Sequence, residues 1–358
     1  MGYAKVLLGV LLVSALAATS TAQQPARFKC SKENATCTAL IDYTSPNKTT
    51  LSAIQKLFQV KKFRNLLGAN NFSSSTSDKQ VVNATQTIRI PFTCVCSNGI
   101  GLSNRSPVYT VVKDDGLSHI AVDVFSGLVT YQQIADVNGI PDVNKIDVGQ
   151  KLWIPLPCSC DDVDAITVVH YGLLVKSGSS VEGIAESYGT TSATLLSLNQ
   201  MVNASDLKAG QVLDVPLKAC TSNISSTSLD YPLLVAKDTY FYTAKNCIKC
   251  TCGSANNYTS LDCEPSGLKP LSNWTTCPAM QCEGAGNQYM IGNVTSSSNC
   301  NQTTCAYTGY DNSTIFASLI TESTCPASAS PTNGIQGLRW NFIFISIQLI
   351  FVCLHLSH

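Results

Sequence analysis

The sequence predicts an α+β protein: three tandem small βααβ units tied by disulfides, followed by a cysteine-rich disulfide-stapled region. Three observations predict it. A short apolar segment closed by proline recurs three times. Strand-like and helix-like periodicities precede each recurrence in the same order. Cysteines cluster between the recurrences and after the last of them.

The recurring endings are Ile88 to Cys94 (IRIPFTC), Leu152 to Cys158 (LWIPLPC) and Leu213 to Cys220 (LDVPLKAC). Proline cannot donate to a ladder, so each marks a strand that ends or runs along an edge. The prolines stand roughly sixty residues apart, room for one small unit and a linker. In the second unit, Val108 to Val112 alternates as a strand and Lys113 to Gly116 turns the chain. Leu117, Ile120, Ala121 and Val124 then recur at helical spacing. A second helical stretch, Thr130 to Asn138, carries Tyr131, Ile134, Ala135 and Val137, and Gly139 stops it. A loop leads to the closing strand Gly149 to Ile154. Such a unit is expected to be a two-stranded antiparallel sheet with both helices on one side.

The third unit repeats this order. Gly172 to Lys176 is the strand, Ile184, Ala185 and Tyr188 mark one helix, and Leu195, Leu196 and Leu198 mark the other. Gly210 to Val215 closes it. The first unit diverges. Leu40 to Tyr43 opens it, Leu51 to Phe58 and Phe63 to Leu67 form the helices, and Thr87 to Ile90 ends it.

A unit this small buries too little apolar surface to be comfortably stable alone. Cys30 and Cys37 precede the first unit, and Cys94-x-Cys96 and Cys158-x-Cys160 stand between units, placed to tie neighbours together. Spacing alone does not choose among their pairings. From Thr221 the repeat stops. Cys220 and nine further cysteines then mark a small stapled module or stalk of underivable connectivity.

The ends carry processing signals. Lys5, the apolar run Val6 to Ala18, and small residues up to Ala22 describe a secretory signal peptide, residues 1–22. Trp340 to Leu356 is apolar, a polar spacer precedes it, and Ser328, Ala329 and Ser330 form a small-residue site. That order describes a GPI-attachment signal with the lipid on Ser328 and a discarded propeptide, 329–358. The rival reading is a retained C-terminal span. The expected divisions are 23–97, 98–161 and 162–220 for the units and 221–328 for the cysteine-rich region.

Cysteine usage and sequons agree with an oxidising, extracellular setting. Of 17 cysteines, Cys353 lies in the discarded tail, leaving an even 16. Glycosylation sequons stand at Asn34, Asn47, Asn71, Asn83, Asn104, Asn203, Asn223, Asn257, Asn273, Asn293, Asn301 and Asn312. Net charge is +0 with 13% charged residues, and no basic run offers a phosphate-binding stripe, which argues against nucleic acid.

The repeats resemble the LysM (lysin motif) domain: a turn near Gly-Asp, a helix with Ile-Ala, a helix ending in Asn, and a strand after Gly-Gln. Here those are Ile184-Ala185, Asn199 and Gly210-Gln211 in unit three, and Ile120-Ala121, Asn138 and Gly149-Gln150 in unit two. The turn of unit two has its glycine displaced, and unit one keeps little of the pattern. Three such units, two Cys-x-Cys pairs and a GPI signal make the whole chain look like a plant LysM-domain GPI-anchored receptor of the chitin-elicitor-binding type.

The resemblance implies binding of chitin oligomers, polymers of β-1,4-linked N-acetylglucosamine. It implies disulfides Cys30–Cys96, Cys37–Cys160 and Cys94–Cys158. It also implies a membrane-spanning LysM receptor-like kinase as co-receptor, and a ligand-bridged homodimer is a further expectation. The family's ligand lies in a shallow groove between the first and last loops of a unit. In unit two those loops are Lys113, Asp114, Asp115, Gly116 and Leu117, and Gly139, Ile140, Pro141, Asp142, Val143, Asn144, Lys145 and Ile146. Gly116 would permit close backbone approach, and Ile140 and Ile146 would flank an acetamide methyl. Their alternative is ordinary packing. Sequons select the unit: Asn47, Asn71 and Asn83 fall in loops of unit one and Asn203 in a loop of unit three, so unit two alone has both loops bare, with no sequon between Asn104 and Asn203.

No cofactor, metal or catalysis is expected. His119 and His170 have no visible partners for a nucleophile-activating site. Asp161 and Asp162 imitate a glycosidase pair but sit in a linker, a poor place for fixed geometry. Cys247-x-x-Cys250-x-Cys252 has zinc-like spacing, with disulfides the stronger reading. Peptidoglycan shares the N-acetylglucosamine unit, and no residue excludes it.

Overall fold

The computed structural model describes residues 28–271, 274–283, 289–296 and 301–323. The expected signal peptide, Asn273, Cys300, Cys325, Ser328 and the expected propeptide lie outside them. The chain divides into two compact units. In the smaller, within 294–304 and 320–323, Val294–Ser296 pairs antiparallel with Gln302–Thr304. The larger spans 28–293 and 305–319.

The first segment runs β1 (Thr36–Thr44), β2 (Thr49–Thr50), α1 (Leu51–Leu57), α2 (Phe63–Ala69), β3 (Val81–Val82) and β4 (Thr87–Ser97). The second adds β5 (Ile100–Ser103), β6 (Val108–Thr110), α3 (Leu117–His119), α4 (Tyr131–Val137), β7 (Lys151–Trp153) and β8 (Pro157–Cys158). The third is β9 (Val168–Leu174), α5 (Val181–Tyr188), α6 (Ser192–Leu198) and β10 (Val212–Thr221). Hydroxyls start four of the helices. Thr50, Thr130, Ser180 and Thr191 each accept from an amide three residues on, satisfying a donor the helix leaves free. The first helix of the second segment departs from simple periodicity, because α3 continues as a wide π-turn, Ile120–Val124. The turn closes with the Phe125 amide on the Ile120 carbonyl, and the Phe125 ring is fully buried.

The three sheets are not separate, as the repeat pattern implied. A seven-stranded sheet has the order β11-β10-β9-β1-β4-β5-β8, β11 being Leu234–Ala236, while β2 with β3 and β6 with β7 stand apart as two short pairs. β1 runs antiparallel to β4 and parallel to β9, with Leu40 opposite Tyr171 and Ile41 opposite Gly172. A lone hairpin would leave β1 and β9 with open edges, and pairing them removes both. Gly172 makes room, since a Cβ there would stand 3.1 Å from Cγ1 of Ile41.

The merger explains why Ala39 to Tyr43 are all buried. Ile41, Tyr43, Ile88 and Ile90 face the core of α1 and α2, whereas Leu40, Tyr171, Leu173 and Leu213 face that of α5 and α6. A strand covered on both faces loses the alternation of a half-exposed one.

The first and second segments share one core. Phe58 meets Tyr43 at 4.9 Å and Phe125 at 5.6 Å, both edge-on. Gln59 acts as a stub of strand beside β6: its Nε2 donates to the Val108 carbonyl at 3.1 Å and its Oε1 accepts from the Val108 amide at 3.0 Å. The smallness of each unit is thus offset by shared packing as well as by cystines.

One clamp recurs in all three segments. Asn70 Nδ2 donates to the Leu66 and Arg89 carbonyls, and its Oδ1 accepts from the Arg89 amide. Asn138 does this for Ile134 and Trp153, and Asn199 for Leu195 and Asp214. Each asparagine joins the end of the second helix to the closing strand. Gln86, Gln150 and Gln211 each accept from the amide three residues earlier, at 3.1, 3.0 and 3.2 Å.

The disulfides among the described residues are Cys30–Cys96, Cys37–Cys160 and Cys94–Cys158, then Cys220–Cys252, Cys247–Cys277, Cys250–Cys263 and Cys282–Cys305. The cysteine-rich region packs directly on the first segment. β12 (Thr239–Thr243) lies against α2, with the Tyr240 hydroxyl donating to the Phe72 carbonyl at 2.6 Å. β13 (Ile248–Cys252) and β14 (Asp262–Pro265) complete its three-stranded sheet.

Candidate functional site

The two loops of the second segment meet at their bases. The Val111 amide donates to the Gln150 carbonyl at 2.9 Å and the Gly149 amide to the Val111 carbonyl at 2.8 Å. In the first loop, Lys113 and Asp114 are exposed, and Asp114 takes φ +69°. Asp115 points inward. Its Oδ2 accepts from the Val112 amide at 2.8 Å and the Tyr109 hydroxyl at 3.0 Å, and its Oδ1 lies 3.5 Å from Nε2 of His119. Burial first, and then the Asp115 carboxylate, push the Tyr109 phenol up to about 12. Asp115 therefore shapes the loop and offers no free carboxylate. A Cβ on Gly116 would meet nothing within 4 Å, so the surface beside it is open. Leu117 is 2% exposed and packs in the core, leaving only its backbone at the loop.

In the second loop, Gly139 takes φ +63° and ends α4. Asp142 accepts from the Asn144 amide at 3.1 Å and pairs with Lys145 at 3.2 Å. The Asn144 amide foremost, and then Lys145, hold its carboxyl below the usual carboxylate range. Pro141, Asn144 and Lys145 are exposed. Ile140, Val143 and Ile146 are half-buried and rest on the core, so packing and a rim position are both true of them. The result is a pair of loops with exposed backbone and half-buried apolar edges, in which Asp115 and Asp142 are engaged internally while Lys113 and Asp114 face solvent. That arrangement suits an uncharged polar ligand held by backbone hydrogen bonds and apolar contact.

The equivalent loops of the first and third segments differ in one respect. Asn47, Asn71, Asn83 and Asn203 stand in them, all exposed. Every other sequon asparagine among the described residues, Asn34, Asn104, Asn223, Asn257, Asn293, Asn301 and Asn312, is exposed too.

Two expectations are corrected. His170 has partners: its Nδ1 lies 2.9 Å from the Asp214 carboxylate and its Nε2 2.8 Å from the Asp161 carbonyl. Histidine and aspartate are each 1% exposed, so the pair is internal structure. The sequence hid it because the two stand on neighbouring strands far apart in the chain. Asp161 is also fixed, accepting from the Ser31 and Lys32 amides, while Asp162 pairs with Lys32 at 2.8 Å. His119 stays on the surface beside Asp123. The cysteines of zinc-like spacing, Cys247, Cys250 and Cys252, are all half-cystines.

The LysM domain family model matches residues 109–155 and 174–216, the second and third segments. The LysM domain-containing GPI-anchored protein 2 of Arabidopsis thaliana is 47% identical over 352 residues, 97% of each chain. This chain belongs to the LysM domain-containing GPI-anchored protein family. The chitin elicitor-binding protein of Oryza sativa subsp. japonica is 40% identical over 91% of each chain. The chitin elicitor receptor kinase 1 of Physcomitrium patens is 23% identical over 52% of this chain and 28% of its own. No helix among the described residues of this LysM protein is long and apolar enough to cross a membrane.

Proposed function

We propose that this LysM protein binds chitin oligosaccharides at the outer face of the cell membrane, held there by a GPI lipid on Ser328, and takes part in defence recognition without catalysis. The observation that carries the reading is the second segment's pair of loops, ordered, with Asp115 and Asp142 engaged within the loops and without a sequon. Residues 113–117 and 139–146 are the proposed contact set. Backbone amides and carbonyls would pair with the acetamide, and Ile140 and Ile146 would flank its methyl. The name of the Oryza sativa relative supports the choice of chitin. The first segment, 23–97, is read as a third LysM unit, because Asn70 and Gln86 repeat the clamps of the two matched units. The units 98–161 and 162–220 and the cysteine-rich region 221–328 complete the proposed division. A LysM receptor kinase is the proposed signalling partner, and a long oligomer bridging two copies would raise avidity.

A glycan placed on the proposed groove tests its position. Ile146→Thr turns Asn144 into a sequon. The glycosylated variant is expected to bind chitohexaose at least tenfold more weakly by calorimetry, about 1.4 kcal/mol. Asn144→Gln added to it removes the glycan and is expected to bind more tightly than the glycosylated form, short of the parent by the lost Ile146 contact. Undiminished binding by the glycosylated form would place the site elsewhere. Muropeptide fragments titrated in parallel decide between chitin and peptidoglycan, and chitohexaose incubated with the protein is expected to yield no shorter products.

A further inference from the structure

A separate cleft of about 760 Å³ opens between the first and third segments. Its origin lies in the shared sheet. Asp42 and Arg89 are register partners across β1 and β4, with Thr87 two residues along. Their side chains stand on the face turned away from α1 and α2. Over β9 that face is covered by α5, and beside β4 an opening remains. Lys176 and Tyr188 form one wall and Asn71 the opposite rim. None of residues 199–210, the last loop of the third unit, lines it.

The chemistry of the cleft is unlike that of the loops. Asp42 is 1% exposed, and its Oδ1 has no hydrogen-bond partner among the described residues. The Arg89 guanidinium lies 5.3 Å above the ring of Tyr171, whose centroid is 5.7 Å from that of Tyr188. Lys176 Nζ donates to Thr87 Oγ1 at 3.3 Å. Two cations thus converge on one sunken acid, beside a half-exposed phenol ring and hydroxyls. Buried charge without full pairing, set in a cleft, makes the cleft a candidate functional site.

We infer that this cleft is a second glycan site, one that takes a saccharide bearing carboxylates, of the uronic-acid oligomer class. Arg89 and Lys176 pair with a carboxylate, Thr87 and Ser179 meet ring hydroxyls, and the sugar's apolar face lies on Tyr188. A volume of this size is within the usual range for ligand pockets, ~300–1,000 Å³. Burial foremost pushes the Asp42 carboxyl up to about 6, against the pull of Lys176 and Arg89. The groups facing it are Arg89 on β4, Lys176 after β9, Tyr171 on β9, Tyr188 on α5 and Asp238 at the rim. Both phenols are held above their ordinary value, chiefly by burial, and stay neutral. As pH falls through about 6 the floor loses its negative charge, so an anionic sugar binds more tightly.

The test uses protein carrying Ser73→Ala, which removes the Asn71 sequon at the rim without changing Asn71. Trigalacturonic acid is titrated at pH 5 and pH 7.5, with chitotriose and cellotriose as neutral controls. Binding is expected for the acid sugar, at least fivefold tighter at pH 5. Lys176→Glu is expected to weaken it at least tenfold while chitohexaose affinity at the unit-two loops stays unchanged. Lys176 is exposed, so this variant is expected to fold. Ser187→Phe, which fills the mouth from α5, provides an independent second variant. No binding of trigalacturonic acid at either pH, equal binding of the neutral trisaccharides, or indifference to both variants would overturn the inference. Because chitohexaose is measured separately, each of these failures leaves the chitin reading standing.

Discussion

Replacing His170 by alanine is expected to destabilise the protein by about 3–5 kcal/mol, the cost of breaking a buried ion pair from one side. The substitution leaves the Asp214 carboxylate, whose side chain is 2% exposed, without its partner. Both imidazole nitrogens face oxygen acceptors, which favours the doubly protonated ring. Burial, the largest influence, draws the His170 pKa down. The Asp214 carboxylate, its hydrogen bond and the Asp161 carbonyl outweigh it and hold the value above that of a free histidine. The stabilisation is therefore complete below the ordinary histidine value and is lost as pH rises through the folded one. Thermal melting across pH 5 to 9 checks this. The parent protein is expected to melt progressively lower on the alkaline side, and His170→Ala to remove most of that slope. A slope unchanged in the variant would sink the assignment.

Gly68→Ala is the second large effect, and its sign is diagnostic. In an exposed helix the change is expected to stabilise by ~1 kcal/mol. Here the new Cβ would lie 2.0 Å from the Tyr240 carbonyl oxygen, a backbone atom that cannot rotate away. α2 and β12 must separate, at a cost of about 1–3 kcal/mol for overpacking. A lowered denaturant midpoint, with faster amide exchange in β12 and β13, is the expected outcome. A raised midpoint would mean that the cysteine-rich region does not rest on this helix.

These two positions also show what the sequence disclosed and what it withheld. The helices of all three segments were legible, because apolar spacing and hydroxyl caps are local. Asn138 and Asn199 were legible because their surroundings repeat. Asn70 was not: its loop to Gln86 is longer than its counterparts and carries no matching glycine. The run Leu40 to Tyr43 reads as one strand of a hairpin, and nothing nearby says that β9 will pair with it. His170 and Asp214 meet only because β9 and β10 pair, with Val215 opposite Tyr171 and Pro216 opposite His170. Asp42 left a faint signal, a single acid inside the otherwise apolar run Ala39 to Tyr43. In the candidate groove the loop limits were readable, but the commitment of Asp115 and Leu117 to the interior was not. Side-chain direction within a turn depends on bonds to residues outside it.

The parallel seam between β1 and β9 also sets a schedule for the growing chain. Cys37 must wait for Cys160, 123 residues later. At ~5–20 residues per second of synthesis, that delay is about 6–25 s. Throughout it, one margin of β1 has no neighbour and a thiol has no mate. A chain cut short before Cys160 would leave that margin of β1 and the Cys37 thiol unpartnered.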